Sequence, residues 1–245
     1  MMVAQRRRLD QALVERGLVT SRERAQAMVR AGLVRVAGAP ADRPDQMVAV
    51  DQVIEVAGST AYVSRGGEKL AAALDAFGFD PRGRRGLDVG ASTGGFTDVL
   101  LQRGAEGVMA IDVGYGQLAW SLRQNPRVTV MERVNIRHLD QLPFPADFAV
   151  IDVSFISLRL VLPRVGQLLS PPGEVVALVK PQFEVGKGAV GKGGVVRDPA
   201  LHEQVLKELR GFAGEIGYQV AGQIASPVLG AKGNREFLLY LKPNA

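Results

Sequence analysis

The chain has 245 residues, 47% hydrophobic and 22% charged, enough apolar material for one α/β domain and a small appendage. No run of about 20 apolar residues is present, so no membrane span is expected. The basic start has no apolar stretch behind it and does not read as a secretion signal, which makes the cytoplasm the default expectation. Cysteine is absent, which excludes disulfides, thiolate metal sites and any cysteine nucleophile.

The net charge of +5 is unevenly placed. Residues 1–35 hold Arg6, Arg7, Arg8, Arg16, Arg22, Arg24, Arg30 and Arg35 against Asp10, Glu15 and Glu23, so the remaining 210 residues sum to zero. A compact basic segment made only of arginine suits a polyanion, because a guanidinium fork matches phosphate oxygens.

In chain order, "RRLDQALVERG" (7–17) has helical apolar spacing and a glycine stop. Ser21 then caps a second predicted helix ending at Gly32. "LVRVAG" and "QVIEVAG" read as short strands around a turn-rich stretch. We therefore expect a small α+β domain over residues 1–58, a linker at 59–64 and a second domain over 65–245. In that second domain short apolar runs alternate with helical patterns, the rhythm of a mostly parallel sheet. The end differs: "YQVAGQIASP" and "NREFLLYLK" read as an antiparallel hairpin. The fold class expected is α/β, with a Rossmann-like sheet and an α+β appendage.

"LDVGASTGGFTDVLL" (87–101) gives strand, glycine-rich turn and helix. The turn has no lysine, so it is not a nucleotide-hydrolysing phosphate loop. The similar "GKGAVGKG" (186–193) has glycine where that loop needs a hydroxyl. Its G-x-x-x-G-G spacing also departs from the dinucleotide pattern. Asp88 would oppose a pyrophosphate yet suit a cofactor amine, and Asp112 after "VMAI" suits ribose hydroxyls. S-adenosylmethionine has the amine, the ribose and no phosphate. The expected cofactor contacts are Asp88, Gly90, Ser92, Thr93, Gly94, Gly95, Phe96, Asp112 and, in "MERVNIR", Asn135 or Glu132.

The N-terminal stretch "RLDQALVERGLVTSRERAQAMVRAGLVRVAG" resembles the small RNA-binding module first described in a ribosomal small-subunit protein. That module also opens some pseudouridine synthases, whose catalytic Asp lies in a second domain, so Asp10 is not read as catalytic. The resemblance makes Arg6, Arg7, Arg8, Arg22, Arg24 and Arg30 candidate RNA contacts. The second domain resembles the FtsJ-like ribose 2′-O-methyltransferases through "SRGGEKL", the 87–101 turn, "AVIDVSFISL", "LVKPQFE" and "GNREFLLYLK". With the module in front, the whole chain resembles the TlyA family, named from an early haemolysin reading. The resemblance implies a Lys-Asp-Lys-Glu catalytic set, carried by motif onto Lys69, Asp152, Lys180 and Glu236. It implies ribosomal RNA in ribosomal subunits as partner and a cytidine ribose as target. The short ends of the chain lean towards large-subunit RNA.

Several roles stay open at this stage. Lys180 either takes the ribose proton or orients the hydroxyl. Arg65 either contacts phosphate or belongs to a plain helix start. Phe155 either stacks on the target base or is core. The basic stretch 185–198, with Lys187, Lys192 and Arg197, either closes over RNA or is a loose surface loop. His138 and His202 have no metal-like partners, so no metal is expected. Competing readings are base methylation, a non-catalytic assembly factor and membrane lysis. The absent cysteine excludes carbon-5 pyrimidine chemistry, "DVSF" lacks the prolines of adenine amine enzymes, and no long amphipathic helix supports lysis.

Overall fold

A computed structural model describes residues 6–19, 21–56, 61–186, 188–191 and 193–244. The linker expected at 59–64 therefore lies partly outside the described residues, as do Lys187 and Lys192.

The N-terminal segment runs β1 (Arg6–Arg8), α1 (Leu9–Glu15), α2 (Arg22–Arg30), β2 (Val34–Val36), β3 (Ala39–Pro40), β4 (Met47–Ala49) and β5 (Ile54–Val56). The first helix begins two residues later than its periodicity predicts. Arg6–Arg8 instead pair antiparallel with Met47–Ala49. The N–H groups of Leu9 and Asp10 donate to the carbonyls of Gln46 and Pro44, both at 2.8 Å. Donors that a helix start leaves free are thus satisfied by a distant loop. Ser21 caps α2 as expected, its Oγ accepting from Arg24 N–H at 3.2 Å. Strands β3-β2-β5 form a separate three-stranded sheet. Leu9, Leu13, Ala25, Val29, Val34 and Ile54 close a core between these elements.

The larger segment holds α3 (Gly66–Phe77), β6 (Arg85–Val89), α4 (Gly95–Gln102), β7 (Gly107–Asp112), α5 (Trp120–Arg123), β8 (Val128–Glu132) and β9 (Ala146–Ile151). It continues through α6 (Leu162–Leu168), β10 (Leu169–Val179), α7 (Pro181–Glu184), α8 (Pro199–Glu215), β11 (Tyr218–Ala225) and β12 (Phe237–Pro243). Seven strands form one sheet in the order β11-β12-β10-β9-β6-β7-β8. From β10 to β8 the pairing is parallel. β12 runs antiparallel to both neighbours, giving the expected terminal hairpin.

Alternate residues of the strands enter two different cores. Val175, Ala177 and Val179 pack with α6 and α8, whereas Val176 and Leu178 pack with α3 and α4. Burial on both faces is why these strands read as unbroken apolar runs. The strand order reverses between β6 and β9, with β7 and β8 added on one side and β10 on the other, so the C-terminal ends of those parallel strands open a crevice where ligands meet such sheets. Among the described residues no helix is long and apolar enough to cross a membrane.

Phe148 anchors the α3/α4 side: it is fully buried, edge-on to Phe79, and Arg84 lies 5.0 Å above its ring. Phe148→Ala is expected to destabilise the protein by about 3–5 kcal/mol, read as a lower midpoint in urea unfolding.

Candidate active site

The glycine-rich turn leaves β6 at the crevice. Gly90 has φ +85°, and a Cβ there would lie 2.4 Å from the carbonyl oxygen of Asp152, so only glycine lets the two chains touch. Gly90 and Ala91 N–H donate to the carbonyl of Ile111, at 2.8 and 3.1 Å. Asp112, at the end of β7, fixes the other side of the turn. Its Oδ2 accepts from Ser92 N–H at 2.8 Å and its Oδ1 from Gly114 N–H at 2.7 Å. One lone pair remains on each of its oxygens.

Two cavities meet at this turn, sharing Gly90, Ser92, Asp152 and Ser154. One, of about 380 Å³, has Asp112 and Asn135 as polar groups among apolar Val113, Val134, Ile136 and Ile156. Asn135 gives its side-chain carbonyl to Arg137 N–H at 3.1 Å, leaving its amide N–H groups unengaged in that bond. The other, of about 280 Å³, is lined by Arg65, Lys69, Thr93, Gly95, Phe96, Asp152 and Lys180.

The four Lys, Asp and Glu candidates come from four separate elements and fall into two ion pairs. Lys69, on the first turn of α3, donates to Glu236 Oε2 at 2.5 Å. Both are nearly inaccessible, at 9% and 2% exposure. Glu236 stands behind Lys69 and does not line the cavity itself. Lys180 and Asp152 follow the neighbouring parallel strands β10 and β9, and Nζ lies 2.6 Å from Asp152 Oδ1. Lys180 takes the extended backbone that the following Pro181 favours, φ −115° and ψ 96°. The arrangement presents an amine and a carboxylate side by side where an apolar-walled cavity meets a polar one.

A family model described as FtsJ-like methyltransferase matches residues 62–243, and one described as S4 domain matches residues 7–54. The chain is 50% identical to the 16S/23S rRNA (cytidine-2′-O)-methyltransferase TlyA of Mycobacterium tuberculosis, across 98% of this chain and 91% of that one. It is 39% identical to Hemolysin A of Brachyspira hyodysenteriae, across 95% and 98%. A solved structure of a hemolysin-named protein from Streptococcus thermophilus superposes with TM-score 0.75 at 44% identity, covering 99% and 90%.

The chain belongs to the TlyA family of FtsJ-like methyltransferases.

Three of the expected cofactor contacts take other places in this TlyA-family fold. Asp88 is fully buried, lines neither cavity, and accepts from Thr97 Oγ1 at 2.6 Å. It supports the turn from below and does not present its carboxylate to a ligand amine. Gly94, φ +98°, faces away from the cavities: a Cβ there would meet Leu122 Cδ1 at 2.3 Å, so it lets the turn pack on α5. Glu132 is spent on Arg123 and on Gly116 N–H, at 2.8 Å for the latter.

Phe155 is not core. It is 90% exposed, has φ +64°, and its ring centre lies 5.0 Å from that of Phe183. Arg65 is exposed on the cavity rim, directly before α3. Part of the 185–198 stretch is tied down. Asn234 accepts from Val196 N–H at 3.1 Å and donates to Gly194 O at 3.0 Å, and Val195 and Val196 are buried. His202 is structural, its Nε2 2.9 Å from Val196 O. Among the described residues no cluster of His, Asp or Glu could hold a metal.

The S4 domain turns on a residue that charge counting passes over. Asp10 is fully buried and gathers Arg8 (3.1 Å twice), Arg22 (3.0 Å) and Gln26 (3.0 Å) around one carboxylate. The hydrogen bonds from Arg8 hold that carboxyl far below the usual range, against the opposing effect of burial. Arg8 and Arg22 thus reach the surface already oriented. Arg6, Arg7, Arg24 and Arg30 are exposed. Arg16 is removed from the basic face, since it donates to the carbonyls of Gln52, Ala49 and Val50.

Burial pushes the Asp88 carboxyl up to about 7, with the charges of Asp152 and Asp112 adding to it and the Thr97 hydrogen bond opposing it. A raised value means that the folded chain keeps a proton the unfolded chain loses. Its contribution to stability is therefore full below about pH 4 and declines up to about pH 7. Asp88→Asn should remove that decline. The stability difference between wild type and variant, from chemical unfolding at a series of pH values, is expected to change across this window and to be flat above it.

Proposed function

We propose that this chain is an S-adenosylmethionine-dependent 2′-O-methyltransferase acting on a cytidine ribose of ribosomal RNA. The observation that carries the reading is the Lys180–Asp152 pair standing where the two cavities join. A sulfonium methyl donor needs from the protein only an aligned oxygen and somewhere for its proton to go.

The residues present fit such a cofactor. Asp112 offers two free lone pairs for adjacent ribose hydroxyls, Val113, Val134 and Ile136 offer an apolar seat for an adenine, and Asn135 offers amide N–H groups at its rim. The Gly90–Gly95 turn, with Ser92, Thr93 and Phe96, leads from there to the polar cavity and would hold the amino-acid end. When bound, the cofactor supplies an electrophilic methyl group and leaves as a neutral thioether.

Lys180, as the ammonium, donates an N–H to the 2′-hydroxyl oxygen and stabilises the developing alkoxide, and the Asp152 carboxylate takes up the hydroxyl proton as the methyl is transferred. Lys69 braces the same ribose or its phosphate, its own position held by Glu236 from behind. Phe155 stacks on the target base, its exposed ring standing at the edge of the cavity beside Phe183. The oriented arginines of the S4 domain grip folded RNA by its backbone, which supports a ribosomal subunit as the substrate particle.

The test is methyl transfer from labelled cofactor to unmodified ribosomal subunits, with the product nucleoside identified by mass spectrometry. Wild type is expected to form 2′-O-methylcytidine, and the labelled subunit assigns the specificity. Lys180→Ala should lower the rate by about 100-fold or more while cofactor affinity stays within a few-fold. A methylated base would replace this reading with base methylation, and cofactor binding without transfer would replace it with a binding role.

A further inference from the structure

Lys180 has a second anchor that neither the family's four-residue set nor the motif reading assigns. Its Nζ donates to Ser154 Oγ at 2.8 Å in addition to its 2.6 Å pairing with Asp152 Oδ1. Ser154 lines both cavities, so this bond lies at their junction.

A lysine ammonium carries three N–H groups on a flexible four-carbon stem. One partner leaves it free to swivel about the Nζ–Oδ1 line. The ion pair with Asp152 Oδ1, which makes no hydrogen bond, and the hydrogen bond to Ser154 Oγ together confine Nζ and narrow the directions left to its other N–H groups. With Asp152 and Ser154 both on the cavity wall, the head group is placed before substrate arrives. We propose that Ser154 is a positioning residue for the transfer, aiming Lys180 Nζ at the reacting ribose hydroxyl. The inference rests on the ribose methylation reading above and goes beyond it.

The surrounding chain is built to keep the two residues together. Asp152 N–H donates to Val89 O at 2.9 Å, and Ala177 pairs with Ile151 just before the two loops diverge. At the far end Glu184, which closes α7, accepts from Ser157 Oγ at 2.6 Å and from Leu158 N–H at 2.8 Å. The loop carrying Ser154 is thus strapped to the segment carrying Lys180 on both sides. Among the described residues the Ser154 hydroxyl has no other partner, and the residue is exposed. Removing its oxygen therefore alters Lys180 and leaves the fold intact.

The experiment compares wild type, Ser154→Ala and Ser154→Thr in steady-state methylation of unmodified ribosomal subunits, with cofactor affinity measured by calorimetry. Ser154→Ala is expected to lower kcat about 10- to 50-fold, the range that loss of one oriented group allows, with KM for RNA and cofactor Kd within about two- to three-fold. Ser154→Thr, which keeps the hydroxyl, should recover most of the rate. A wild-type kcat in Ser154→Ala overturns the proposal and leaves ribose methylation standing. So does a loss that appears in cofactor affinity instead of kcat, or one that threonine does not restore. Absence of 2′-O-methyl product with the wild-type protein is a different result, because it overturns the underlying reading itself.

Discussion

The site depends on one close approach: the turn after β6 lies against the carbonyl of Asp152, at a spot where a single added carbon would sit 2.4 Å away. That contact joins the two halves of the sheet where the strand order reverses. The turn and the Asp152 carboxylate come from opposite halves, brought together by this contact and by the Asp152 N–H bond to Val89 O at 2.9 Å. A side chain at Gly90 would separate them and dissolve the junction between the two cavities. Asp112, itself fixed by Gly114 N–H, accepts from Ser92 N–H and ties the same turn to the end of β7.

Around that contact the protein places charge where charge is costly. A lysine and a glutamate as inaccessible as Lys69 and Glu236 lose much of their hydration, and their mutual attraction repays this only with close geometry. Such a pair is a poor way to gain stability and a good way to fix a cation at a set depth. The pair of Lys180 with Asp152 differs in its carboxylate: the Lys180 side chain is as little accessible as that of Lys69, at 11%, but Asp152 is 23% exposed. Both line the polar cavity, and Lys180 is held by Ser154 as well as by its carboxylate. The site thus combines one locked cation with one aimed cation.

Much of this was legible in the sequence, because it rests on local pattern. The apolar runs of the parallel strands, the turn after β6 and the terminal hairpin all follow from spacing along the chain. The four Lys, Asp and Glu positions were legible through motif resemblance, not through any property of the residues taken singly. What was not legible depends on contacts distant in sequence. Arg7 and Arg8 read as helix because the strand residues that capture them, Val48 and Met47, lie far along the chain. Asp88 read as a ligand because a sequence does not show that Thr97 turns back over it. Gly94 read as a cofactor contact although its missing side chain serves Leu122. Ser154 carried no signal at all, since a serine two residues after an aspartate is ordinary until the strands bring Lys180 to it.

The buried Asp10 has a consequence for how the S4 domain would meet RNA. Two of its guanidinium groups are held by one carboxylate, so they have given up their rotational freedom before any encounter. Binding need not order them again, which favours a rigid match to a preset phosphate spacing over an adaptable one. The same pairing also lowers the local field. An arginine partly neutralised from within displaces fewer condensed counterions than a free one. Against RNA the domain would then act less as a sticky cationic surface than as a gauge of backbone geometry, discriminating by fit where its arginine content alone suggests attraction by charge.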